Sequence, residues 1–126
     1  MSLSVVAAAA GAFILSFAWY TIFSRRLAAL SSVYATEARP SGAVIALEFV
    51  RSLIVAGVLA ALAVATEADT WAAGAALGLL AWVGFPLVIL SGSVLHEKYP
   101  APLAAIHIGD WLIKLVLIAA VVAAWR

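Results

Sequence analysis

Five ionisable side chains stand inside stretches that are otherwise apolar: Glu48 and Arg51 in one, and His107, Asp110 and Lys114 in another. A charge within a membrane-spanning helix costs roughly 2.5–3.5 kcal/mol on insertion scales, so such groups mark an ion or proton path, a binding site or a clamp between helices. His107, Asp110, Trp111 and Lys114 fall at i, i+3, i+4 and i+7, which puts all four on one stripe of a helix. Glu48, Arg51 and Ser52 make a narrower stripe on the other stretch. At about 1.5 Å per residue, Glu48 and Arg51 lie some 9 and 13 Å beyond Gly42, and His107 and Asp110 lie at similar depths beyond Ala101. Both stretches run in the same direction, so these depths pair Glu48 with His107 and Arg51 with Asp110. The formal charges of Glu48, Arg51, Asp110 and Lys114 cancel, as expected of two stripes that face each other inside a bundle. Such a cluster can bind or conduct a proton, an ion or a small polar solute. The alternative is a non-transporting accessory or scaffold protein, in which the same cluster is a clamp that orients helices and moves nothing.

Other chemistries find less support. Glu48, His107 and Asp110 are metal-ligand types, but Arg51 and Lys114 on the same stripes repel a divalent cation. Haem needs an axial ligand, and nothing beyond the two histidines, His96 and His107, points to it. There is no nucleophile elbow, no phosphate-cradling glycine loop and no carboxylate pair arranged for glycoside chemistry, so neither enzymatic activity nor a cofactor is expected. The absence of cysteine removes disulfides, thiolate metal sites and thiol nucleophiles. A net charge of +1, spread thinly, cannot form the basic stripe that nucleic acid requires.

The elements that must position these residues are membrane helices. Of 126 residues, 67% are hydrophobic and 10% charged, against roughly 45–50% apolar in a soluble domain. A bilayer core about 30 Å thick takes about 20 helical residues per crossing. Four stretches meet that length, at about 3–23, 42–65, 70–95 and 101–125, and they make one all-α transmembrane domain of the whole chain, 1–126. In the first, Ser24-Arg25-Arg26 follows the apolar run, the reverse of a secretory signal, so the stretch reads as a retained helix. Ser41, after Pro40, caps the second helix. Thr66-Glu67-Ala68-Asp69 has the spacing of a capping box for the third, which makes the second connection a tight hairpin. Pro100 and Pro102 open the fourth, where a missing amide hydrogen costs nothing. Pro86 predicts a kink in the third helix, and Gly74 and Gly78 a close helix contact, within the bundle or between copies.

The first connection, Ser24 to Ser41, is the long one. Leu27, Leu30 and Tyr34 recur there at helical spacing, which reads either as a short helix lying on the membrane surface or as a polar loop. Trp71 and Trp125 at one boundary and Tyr99 at the other suit interfacial anchoring, and Tyr20 can reach Ser16 one turn earlier. Arg25, Arg26 and Arg39 in the first connection and Lys98 in the third, against Glu67 and Asp69 in the second, place both termini outside, with Arg126 the one contrary charge. The halves also match at an offset of half the chain: Ala9 to Ala12 with Ala72 to Ala75, Ala18-Trp19 with Ala81-Trp82, and Arg51 with Lys114. This reads as a tandem repeat of two helical hairpins about an axis along the membrane normal, or as chance in an alanine-rich chain.

Trp19-Tyr20 near the end of the first helix, Leu80-Ala81-Trp82-Val83-Gly84-Phe85 in the third, Glu97 followed by Pro100, and Ile106-His107-Ile108-Gly109-Asp110-Trp111-Leu112 in the fourth carry a further signal. With these motifs the chain resembles a bacterial family of small four-helix membrane proteins of unknown function. The resemblance implies four spans and no assigned activity. The expectation is a bacterial inner-membrane protein, homo-oligomeric in the lipid bilayer, whose candidate binding or relay residues are Glu48, Arg51, His107, Asp110, Trp111 and Lys114.

Overall fold

The computed structural model describes residues 2–35 and 41–125. Pro40, Arg39 and Arg126, which bear on the helix start and the charge asymmetry, lie outside them. Among the described residues there are helices and no strands: α1 (Ser2–Ile22), α2 (Ser24–Leu30), α3 (Ser32–Ala35), α4 (Gly42–Ala65), α5 (Trp71–Gly84), α6 (Pro86–His96) and α7 (Ala101–Ala124). Four helical stretches are long and apolar enough to cross a membrane: Leu3–Ile22, Gly42–Ala65, Trp71–His96 and Ala101–Ala124. The all-α, four-span expectation holds, with boundaries within a residue or two.

Local chemistry sets the breaks. The hydroxyl of Ser41 accepts a hydrogen bond from the Val44 amide at 3.2 Å, capping α4 as expected. Thr66 does not cap α5: its hydroxyl donates back to the Leu62 carbonyl at 2.7 Å, at the end of α4. Glu67 takes the left-handed conformation (φ 57°), and the Ala68 and Glu67 amides bond the Ala63 and Val64 carbonyls. This is the Schellman closure of a helix C-terminus, and it leaves Thr70 to cap α5 by accepting from the Ala73 amide at 3.1 Å. The capping-box reading is therefore corrected by one turn of chain, because the tetrad spends its first half ending one helix.

The third span breaks at Phe85 (φ −119°, ψ −79°), and Pro86 begins α6. A proline ring crowds the carbonyl four residues back and supplies no donor, so the ladder must restart there. The described part of the first connection, residues 24–35, forms α2 and α3, and Leu27 of α2 is buried against Leu103 and Ile106 of α7, with Tyr99, Tyr20 and Leu30 around it.

The core is built from small residues. Ala8, Ala9 and Ala12 of α1 meet Ala56, Leu59, Ala60 and Ala63 of α4, and both meet Ile118, Ala119, Val122 and Ala123 of α7. Without a hydrophobic drive between helices in lipid, close van der Waals approach holds them, and small side chains permit it. The α7 helix is the axis, packed against α1, α2, α4, α5 and α6. The pair Gly74 and Gly78 is used within the bundle, since a Cβ on either would collide with the α7 backbone at Ala119 or Leu115.

Gly78→Ala should therefore lower unfolding stability in mixed detergent by about 1–3 kcal/mol, the usual cost of overpacking. Gly57→Ala, on α4 with nothing within 4 Å of the added methyl, should be neutral or stabilising by up to about 1 kcal/mol.

Candidate functional site

Asp110 is the most deeply buried ionisable group among the described residues, 2% exposed on the inner face of α7. A carboxylate so far from water needs a countercharge and hydrogen-bond donors. Lys114, one turn on, supplies the charge, with its Nζ 2.9 Å from Oδ2. The donors come from α1, where the Ser16 hydroxyl bonds Oδ1 and the Tyr20 hydroxyl reaches Oδ2 at 3.4 Å. The Tyr20 hydroxyl also lies 2.6 Å from Nδ1 of His107. A phenol has one hydrogen to give. It donates to Asp110 when Nδ1 carries the imidazole proton, and to His107 when Nδ1 is bare.

Two tryptophans hold α7 in place from opposite sides. Trp19 Nε1 donates to the Ile106 carbonyl at 2.9 Å, and Trp82 Nε1 to the Ile108 carbonyl at 2.9 Å. The Trp19 ring stands against Gly109, where a Cβ would strike it. The glycine between His107 and Asp110 thus makes room for the indole that fixes their helix. Beyond His107 lie Tyr34 and Tyr99, with ring centroids 6.3 and 6.2 Å from the imidazole. Both stand outside the spans, and burial pushes both phenols up, so they stay neutral.

The second stripe is elsewhere. Arg51 pairs with Glu48 of its own helix at 2.5 Å, and the pair is open, with side chains 58% and 49% exposed. The Ser52 hydroxyl donates to the Glu48 carbonyl at 3.1 Å. The expected pairs Arg51 with Asp110 and Glu48 with His107 are corrected. Asp110 takes Lys114, Ser16 and Tyr20, and His107 sits among three tyrosines. Depth was matched, but α1 stands against this part of α7, and each charged residue of α4 and α7 finds a nearer partner one turn along its own helix.

What the two stripes do share is a cleft of about 290 Å³ between α4 and α7, lined by Glu48, Arg51, Ser52, Trp111 and Lys114 with Ile54, Val55 and Ile118. The Lys114 ammonium sits 4.0 Å from the centre of the Trp111 ring, a cation–π contact that leaves it facing both Asp110 and the cleft. Of the six candidate residues, Asp110, His107 and Lys114 join the network around the buried carboxylate, and Glu48, Arg51, Trp111 and Lys114 line the cleft. Tyr20 does not pair with Ser16 as its spacing suggests; both hydroxyls turn to Asp110. Their signal was the i, i+4 spacing of two hydroxyls on an apolar helix. No group of three or more metal-ligand side chains converges among the described residues.

Asp110→Asn leaves the Lys114 ammonium without its countercharge and should cost about 3–5 kcal/mol of unfolding stability in detergent. A double-mutant cycle should couple Asp110 with Lys114 and find Asp110 and Arg51 additive within about 0.5 kcal/mol. Strong coupling of Asp110 to Arg51 would restore the pairing set aside above.

No curated protein and no solved structure matches this chain. A family model described as "Protein of unknown function (DUF1761)" matches residues 3–123, and the chain belongs to that family.

Proposed function

We propose that this protein, an integral protein of the bacterial cytoplasmic membrane with both termini outside, is not an enzyme and moves a proton between its His107 end and the cleft, where an ion or small polar solute binds. The observation that supports this reading is the unbroken contact chain His107, Tyr20, Asp110, Lys114 and then the cleft. A hydroxyl between an imidazole and a carboxylate can pass a proton by turning and exchanging partners, which is how acid and histidine chains work in membrane proteins. The exposed Arg25 and Arg26 on the connection after α1, with Lys98 on the same side and Glu67 and Asp69 opposite, support the orientation.

One observation favours the second reading, a structural clamp: among the described residues no buried side-chain nitrogen or oxygen lacks a partner. A fully satisfied network specifies a bundle without moving anything. Proton flux separates the two. Tyr20→Phe removes a single oxygen and should slow acidification of proteoliposomes by about tenfold or more, a barrier rise of about 1.4 kcal/mol. If the unsubstituted protein passes no proton under any gradient tested, the clamp reading replaces this one.

Orientation has its own test in a chain free of cysteine. Ser32 and Asp69 are both exposed and lie at opposite ends of the bundle. An impermeant thiol reagent applied to intact cells should label Asp69→Cys and spare Ser32→Cys, and the reverse pattern would invert the topology.

A further inference from the structure

The Glu48–Arg51 pair is in the wrong place for a lone bundle. It lies about 9 to 13 Å along α4, within the span, yet its side chains are half exposed. Among the described residues nothing covers it: residues 42–48 of α4 are exposed throughout. The same face is hollow beyond the pair. An apolar groove of about 430 Å³ continues from the cleft through the shared residues Ile54, Val55 and Trp111, walled by α4 on one side and by Phe85, Pro86 and Ile89 on the other. Its far wall, α6, buries no residue at all.

We infer that this face is an interface closed by a second copy of the chain, related by a two-fold axis along the membrane normal. A two-fold interface sets one patch against itself, so the patch must be self-complementary. An acid and a base three residues apart meet that demand. Glu48 of one protomer faces Arg51 of the partner subunit, and Arg51 faces the partner's Glu48, across a difference in depth of about 4.5 Å that an arginine side chain spans. The two pairs then form a four-charge cluster shielded from lipid. A lipid tail could fill the apolar groove but would leave the ion pair uncovered, so the charge complementarity selects the second copy. Docking also completes the cleft: its open side is closed by the partner's Glu48 and Arg51, and Lys114 becomes the floor of an enclosed chamber.

The association test is independent of proton flux. Two differently tagged variants, Glu48→Arg and Arg51→Glu, are each reconstituted alone and together in bilayers and scored for dimer by single-molecule counting across a lipid dilution series. Each alone sets like charges against each other and should lose dimer by about tenfold or more, while the mixture restores both contacts and should recover the unsubstituted level. Recovery in the mixture also shows that both variants fold. Ile54→Cys, 60% exposed beside the pair, should cross-link to its copy in the bilayer, and Phe17→Cys, 70% exposed on α1, should not. The interface is overturned if the unsubstituted chain is monomeric at every dilution, with or without bound lipid, if mixing the variants recovers nothing, or if cross-linking runs through Phe17 alone.

Discussion

The carboxylate of Asp110 is the group around which the bundle is arranged. Lys114 comes with the same helix, but one countercharge does not satisfy two oxygens, and among the described residues the other side-chain groups that bond Asp110 come from α1. The remaining donors must be brought by another helix, and α1 brings two, Ser16 and Tyr20, one turn apart. That requirement sets both the rotation and the depth of α1. Trp19, the residue beside Tyr20, then falls at the Ile106 carbonyl and over Gly109, where no side chain could stand. On the opposite side Gly74 and Gly78 let α5 approach the α7 backbone, close enough for Trp82 to reach Ile108. A buried polar centre of this kind is costly when half satisfied and specifying when complete.

How much of this was legible in the sequence divides along a physical line. Features decided within one helix were readable: the four spans from apolar length, the Ser41 cap, the break at Pro86, the tight turn after α4, and the stripe of His107, Asp110, Trp111 and Lys114. The helix of the first connection was readable as one of two alternatives, from Leu27, Leu30 and Tyr34. What could not be read was which face of one helix meets which face of another. Matched depth and opposite charge suggested Arg51 for Asp110, yet every acid on a helix with a base three or four residues away has a partner at no cost in assembly. Local pairs win unless packing removes them. Ser16 and Tyr20 were visible as a polar pair, but an apolar helix can turn such a pair inward upon itself or toward a neighbour, and only the position of Asp110 decides.

The internal match between the halves takes a particular form in three dimensions. Trp19 and Trp82 occupy matched positions, and both donate an indole hydrogen to a carbonyl of α7, two residues apart. Arg51 and Lys114 are matched as well, and both line the same cleft. The matched residues thus converge on one helix and one cavity. The α4 and α7 helices nevertheless differ in burial: α7 is enclosed by the other elements, whereas the first half of α4 stands open. The two hairpins contribute like residues to unlike surroundings.

That difference in surroundings separates two ion pairs of the same chemistry in one small bundle. Asp110 is enclosed by protein, its side chain 3% exposed, whereas Glu48 with Arg51 stands open, the acid's side chain 49% exposed. Lys114 joins the two regions. An ammonium has three hydrogens to donate. Asp110 takes one, and the Trp111 face shields part of the charge without consuming a donor. The cleft lies beside it, lined by Lys114 together with the Glu48–Arg51 pair. Lys114 thus belongs both to the shell of the buried carboxylate and to the lining of the cleft, and a change at either is one residue away from the other.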